Sequence, residues 1–275
     1  MFFVDLENKI KNLTGNGVEI FSIGKTICGR DIWCVRIGNS GKRIIVQYGI
    51  HAREYITSML AYLHIRDKIY CDYGGIVYFV PIANPDGVAL CMDGIRSVKS
   101  NEIAQKLLSI NGGDNFELWK ANARCVDLNV NFDASWGNGE KNIKYENSEN
   151  YIGEYPNSEN EVQALVRLTK IVKPDATISY HSKGEEIYYQ FGQTKQTLLL
   201  DKMIAQELCN VTGYELKGQG NSVGGYKDWC ISKFNIPSFT IEIGNDKYLH
   251  PLKVDKLIEI WRQNKFVLKK LLALL

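Results

Sequence analysis

Short apolar runs alternate along this chain with segments of helical period. Residues 42–48 (KRIIVQY) form a β-branched run ended by Gly49 and predict a buried strand. Residues 53–69 carry apolar side chains at Ile56, Met59, Leu60, Leu63 and Ile69, which is helical spacing. Residues 75–81 (GIVYFVP) predict a second buried strand, and Asn84-Pro85-Asp86-Gly87 after it is turn chemistry. Residues 158–172 open with Ser158 and Glu161 at capping-box spacing and predict an amphipathic helix. Residues 174–180 and 237–243 predict further strands. Residues 257–275 predict one long helix, apolar at Leu257, Ile260, Trp261, Val267, Leu268 and Leu271. The polar residues 135–157 read as a loop excursion. This alternation predicts an α/β fold: a single-domain α/β/α sandwich over residues 1–275 with a mixed, mostly parallel central sheet. Functional sites in such folds lie beyond the carboxyl ends of the strands.

Composition narrows the classes. With 275 residues, 45% of them hydrophobic, the chain is long enough to bury a large core without disulfides. A formal charge of +2 argues against an electrostatic nucleic-acid binder. The opening MFFVDLENKI lacks the features of a secretory signal, and the longest apolar runs (76–83 and 271–275) fall short of a ~20-residue membrane span. A cytoplasmic protein without a membrane partner is expected. Cysteines 28, 34, 71, 91, 125, 209 and 230 are scattered and include no C-x-x-C, so they read as reduced, mostly buried small hydrophobes.

Histidine is scarce, with 4 in the chain, and two of them stand just past predicted strands: His51 and His181. His64 lies inside a predicted helix and His250 precedes Pro251, so both read as structural. His51 and Glu54 form an H-x-x-E pair at a strand-to-helix junction, and residues three apart on a helical turn share a face. Such a pair, with His181 as a distant third ligand, matches a catalytic zinc site, where two His and one Glu leave a fourth position for water. One Zn2+ per chain is the expected cofactor. Glu242 alternates with Ile241 and Ile243 in an apolar strand, so it points to the opposite face from both. It is the candidate general acid/base, a role that a ligand cannot fill.

Taken together, these residues resemble the zinc carboxypeptidase family of the carboxypeptidase A type. The likeness runs in order through HAREYIT at 51–57, NPDG at 84–87, WKANARCVDLNVNFD at 119–133, YIGEYPNSENEVQAL at 151–165, SYHSKGEEIYY at 179–189 and SFTIEIG at 238–244. The resemblance implies His51, Glu54 and His181 as zinc ligands and Glu242 as general acid/base. It also implies a cation for the developing oxyanion, supplied by Lys120 or Arg124, with Arg124 preferred.

Three departures bear on the substrate. The family's D-x-N-R-N segment, whose Asn–Arg pair clamps a terminal carboxylate, keeps Asn129 here but has Val130 in place of the arginine. Gly220 falls where the family has a mobile tyrosine, and Lys227 where it sets side-chain preference. Cys125 replaces a common glycine. HSKGEEIYY and GGYKDW are more similar to the γ-D-glutamyl-diamino acid peptidases of bacterial peptidoglycan metabolism. That likeness implies a small stem-peptide substrate cut at the amide between D-Glu and a diamino acid, usually meso-diaminopimelate. Arg53 and Lys227 would then answer the substrate's carboxylates, and Glu185 or Glu186 its ammonium group. The alternatives are a metallocarboxypeptidase of broader peptide specificity, an aspartoacylase-type amidoacylase and an inactive binding module.

Overall fold

Eight strands form one sheet in the order β1-β2-β4-β3-β5-β8-β6-β7. The computed structural model describes residues 2–13, 15, 17–70 and 74–275. In chain order the strands are β1 (Val18–Lys25), β2 (Asp31–Ile37), β3 (Arg43–Gln47), β4 (Ile76–Val80), β5 (Ala176–His181), β6 (Glu186–Tyr188), β7 (Glu215–Lys217) and β8 (Ser238–Glu242). The helices are α1 (Phe2–Lys11), α2 (Tyr55–Tyr70), α3 (Pro85–Asp93), α4 (Asn101–Asn111), α5 (Asn160–Val172), α6 (Lys195–Thr212), α7 (Tyr226–Phe234), α8 (Leu257–Asn264) and α9 (Val267–Leu274). Strands β4, β3, β5 and β8 pair in parallel, as do β6 and β7, while β1–β2, β2–β4 and β6–β8 are antiparallel. The sheet is mixed and mostly parallel, as the sequence predicts.

Strands β3 and β4 read as unbroken apolar runs because both faces are covered. In β3, Ile44 and Val46 join a core with residues from α1, α2, α6, α8 and α9, whereas Ile45 faces the layer of α5 and α7. In β8, Phe239 and Ile241 take the first face, so Thr240 and Glu242 take the second. A third apolar cluster gathers Leu90, Leu107, Phe116 and Trp119 at one end. No helix among the described residues is long and apolar enough to cross a membrane.

Several local readings need correction. The sequence NPDG is a helix start: Asn84 caps α3 by accepting from Gly87 N, with Pro85 in the first turn. The capping box at Ser158 does not form, because Glu159 is the N-cap of α5 and the Ser158 hydroxyl donates to Glu159 Oε1 instead. The predicted C-terminal helix is interrupted at 265–266, which lets α8 pack on α2 and α6 while α9 docks on α6. Residues 135–157 hold a single isolated bridge, Ile143 to Tyr151, in agreement with a loop. Cys125 has φ 64°, the left-handed region that favours glycine and explains the residue common in the family there. Six cysteines are unpaired, and Cys71 lies outside the described residues, as does the side chain of Ile69.

One buried carboxyl makes stability depend on pH. Burial lifts Glu161, in the first turn of α5, from 4.5 to about 8, with Asp86 and Glu159 adding repulsion. Between those values the folded chain holds a proton that the unfolded chain has released, so stability falls as pH rises through the window and levels off above it. Glu161→Gln should flatten that decline, with the variant ahead of the parent at pH 8.5 by up to roughly 4 kcal/mol. Urea unfolding at pH 5, 7 and 8.5 checks this.

Candidate metal centre

Three strand exits converge to build the site. Beyond β3, Gly49 turns the chain at φ 59°, and a Cβ there would lie 2.3 Å from Ser58 Oγ, so only glycine fits. His51 follows and precedes a single turn of 3₁₀ helix, Ala52–Glu54. His181 is the last residue of β5, and its register partner in β8 is Glu242. Asn84 ties two segments together by donating to Ile50 O at 3.2 Å and Ala121 O at 3.1 Å.

The donor atoms of His51, Glu54 and His181 face one another. His51 Nδ1 lies 2.8 Å from Glu54 Oε1, and His181 Nδ1 lies 3.1 Å from His51 Nδ1 and 3.2 Å from Glu54 Oε2. All three residues are buried. Ligands about 2.0–2.1 Å from a tetrahedral zinc stand roughly 3.3 Å apart, so these separations fit that ion. Two ring nitrogens and a buried carboxylate turned toward one another are the donor set that a shared cation takes. Burial pushes the His51 imidazole down, but Glu54 and Asp127 outweigh it and hold it above its ordinary value. Glu54, despite burial, is held well below the carboxylate range by His51 and His181. Among the described residues, this is the cluster of His and carboxylate groups close enough to hold a metal.

Asp127 carries the outer layer, and sequence reading assigned it no role. One oxygen lies 3.2 Å from His51 Nε2 and the other 2.7 Å from Lys120 Nζ, with the side chain fully buried. A carboxylate behind a ligating imidazole fixes its tautomer and orientation. Burial pushes Asp127 up, yet Lys120 and His51 hold it well below the usual range. Its amide partners are Asn129 N and Asn150 N. The Lys120 carbonyl accepts from Ala52 N at 3.1 Å, anchoring the lysine to the turn that bears Glu54.

Lys120 and Arg124 separate clearly. Lys120 is 16% exposed, and its charge acts on both Glu54 and Glu242. Arg124 is 45% exposed and turned to Glu159 at 3.4 Å. Position and burial thus favour Lys120, which lies one residue after the buried Trp119, over Arg124 as the candidate oxyanion cation. Lys120→Gln should lower kcat by about 100-fold or more, the scale of one lost transition-state donor, while Arg124→Gln should stay close to the parent rate. Steady-state kinetics of the two variants distinguishes them.

Glu242 is partly open to a pocket of about 200 Å³ that it lines with Asn129, Tyr188, Lys227, Asp228 and Thr240. Burial lifts its carboxyl to about 8, opposed by His181 and reinforced by Glu54. Gly224, at φ 86°, and Gly225 let the loop pass Val130 and Asn129, since a Cβ on either would come within 3.0 Å of those residues. The Val130 side chain is buried, and no arginine lines the pocket. Lys227 Nζ is tied to Asp228 Oδ1 at 2.5 Å and Gln190 O at 3.0 Å. Asn129 Oδ1 accepts from Tyr226 N.

Other expected groups lie elsewhere. Both oxygens of Glu185 are taken, by Asn245 at 2.8 Å and Gln263 at 3.0 Å, and Glu186 accepts from Tyr188 and pairs with Lys217. Neither lines the pocket; the carboxylate there beside Glu242 is Asp228. Arg53 reaches Leu118 O and Glu149, away from the pocket. His64 is structural as expected, bonded to Tyr48 at 2.8 Å and pushed by burial down to about 3.

A buried His–Glu–His donor set at the strand ends, with a carboxylate beside it in a cleft, defines a metallohydrolase-type centre on an α/β sandwich. Sequence comparison is in accord, since residues 4–267 match the zinc carboxypeptidase family. The chain belongs to that family, and zinc is its metal. It is 30% identical over 258 residues to γ-D-glutamyl-L-diamino acid endopeptidase 1 of Lysinibacillus sphaericus, covering 88% of this chain and 64% of the relative. Against carboxypeptidase A1 of Bos taurus the identity is 27%, covering 82% of this chain and 57% of the relative. The chain thus spans under two thirds of either relative's length. Its fold matches bovine thrombin-activatable fibrinolysis inhibitor with a TM-score of 0.80 at 20% identity, covering 99% of this chain and 94% of that one.

Proposed function

We propose that this chain is a single zinc peptidase unit that hydrolyses the γ-D-glutamyl–diamino acid amide of peptidoglycan-derived peptides. The observation carrying the reading is the pocket beside Glu242, where a buried Lys227–Asp228 pair stands and the carboxylate-clamping arginine is replaced by Val130. A pocket in which Lys227 and Asp228 stand together beside Glu242 complements a side chain that ends in both an ammonium and a carboxylate, as diaminopimelate does. The similarity to the Lysinibacillus endopeptidase points the same way.

His51, Glu54 and His181 would hold the zinc. When bound, the ion lowers the pKa of water toward 7 and polarises a carbonyl. Glu242 takes a proton from the attacking water on its carboxylate and passes it to the departing amine. Lys120, held by Asp127, faces the negative charge that develops on the carbonyl oxygen. Asn129, Lys227 and Asp228 orient the diamino acid. Unpaired cysteines are in keeping with a reducing compartment, and we place the protein in the cytoplasm.

Incubation with L-Ala-γ-D-Glu-diaminopimelate and with α-linked peptides tests the reading. Release of diaminopimelate from the γ-linked substrate is expected. Cleavage of α-linked peptides alone would overturn it in favour of a broader metallocarboxypeptidase.

A further inference from the structure

The NPDG motif lies outside the pocket, yet its asparagine reaches the backbone beside two groups of the reaction centre. Asn84 is fully buried. Its Oδ1 accepts from Gly87 N at 2.9 Å, the bond that caps α3. Its Nδ2 donates to Ile50 O at 3.2 Å and to Ala121 O at 3.1 Å. A side-chain amide has two donor hydrogens and an acceptor oxygen, so these partners fix its orientation. The main chain of Asn84 is held as well, with its N–H donating to Gly49 O at 3.0 Å. Gly87 makes room for the contact, because a Cβ there would lie 2.5 Å from Asn84 Nδ2 and 2.6 Å from Ala121 O.

The two carbonyls that share this amide flank the chemistry. Ile50 precedes the metal donor His51, and Ala121 follows Lys120. The same two segments meet again where Ala52 N donates to Lys120 O at 3.1 Å. They are thus joined behind and ahead of His51. Without the Asn84 amide, Ile50 O and Ala121 O would be two buried acceptors turned to one place, and like partial charges push apart. The backbone bond at Ala52 would be left to set Lys120 against His51. Asp127 links the two side chains, but it does not hold the main chain behind them.

We propose that Asn84 is a positioning residue for the reaction, setting Lys120 at its working distance from the metal donors by holding both carbonyls. The proposal rests on the reading of Lys120 as the cation that faces the developing oxyanion. Capping uses Oδ1 and positioning uses Nδ2, so the two roles of this side chain can be separated.

Asn84→Ser separates them, since serine caps a helix as well as asparagine does but has one hydroxyl hydrogen for two carbonyls. The zinc-loaded variant should lose about 10- to 100-fold in kcat, the scale of a misplaced catalytic group, with KM within about two-fold of the parent. Bound zinc should stay at one per chain. In a Lys120→Gln background the same substitution should change kcat by no more than about two-fold, because the group it positions is gone. Equal losses in both backgrounds, or an unchanged kcat in the folded serine variant, overturn the proposal. Loss of zinc with kcat restored at saturating zinc also overturns it, since the role then belongs to the His51 turn alone. Asn84→Asp keeps the shape and the cap but lacks the donor hydrogens when ionised, and it should give the same signature. Failure of both variants to fold, judged by circular dichroism, assigns Asn84 to the fold and overturns the positioning role. A parent rate in Lys120→Gln alone is the separate failure of the oxyanion reading, and it takes the positioning role with it.

Discussion

Replacing Glu242 with Gln is expected to lower kcat by about 1,000-fold, within the span usual for a positioned acid/base group, while bound zinc stays at one per chain. The substitution keeps the side chain's shape on the face of β8 that carries Thr240 and removes only its capacity to take and release a proton. The His51, Glu54 and His181 donors are untouched, so emission spectroscopy of the purified variant should show unchanged metal content. A Gln variant that retains turnover would remove Glu242 from proton transfer. KM should move little, because the Lys227–Asp228 pair and Asn129, proposed to hold the substrate, do not depend on the Glu242 proton.

His181→Ala should have the opposite signature, with loss of metal and of activity together. Removing the third donor leaves His51 and Glu54, joined through one turn of chain, to hold the ion alone. The expected readout is a chain that purifies with well under one equivalent of zinc and recovers turnover only at high added zinc. Full zinc content in this variant would remove His181 from the ligand set. The fold should survive, because His181 ends β5 and the strand's apolar contacts through Ile178 and Tyr180 are unaffected. Chelation of the parent protein should reproduce the activity loss, and zinc should reverse it.

Legibility from the sequence followed burial. Strands β3 and β4 are apolar on both faces and stand out as runs, β5 and β8 are buried but alternate apolar with polar residues, and the exits of β3, β5 and β8 carry His51, His181 and Glu242. Strand β1 is different, since its exposed and half-buried residues follow no clean alternation, and β6 and β7 are three residues each, too short for any period to show. NPDG was ambiguous for a physical reason: Asn and Pro stabilise helix starts by the same hydrogen bond and fixed φ that they lend to turns. Asp127 escaped notice because its partners are His51 and Lys120, and no local spacing relates a carboxylate to a histidine so far back in the chain. Glu185 shows the reverse problem. It stands near the metal motif in sequence, yet Asn245 and Gln263 draw it into the packing of α8 against the sheet. His250 reads as structural beside its proline, and only the folded turn shows which groups it neighbours.

The carboxylate of Asp127 meets His51 of the metal donor set with one oxygen and Lys120, the cation proposed for the oxyanion, with the other. Exchange of Lys120 alone would strand that buried carboxylate, a loss on the order of 3–5 kcal/mol. Descendants of this chain that adopt a new cation at position 120 would therefore have to change Asp127 with it. Asp127 acts in this sense as an evolutionary lock: the pocket around Lys227 is free to drift toward new substrates while the reaction chemistry behind it stays unaltered.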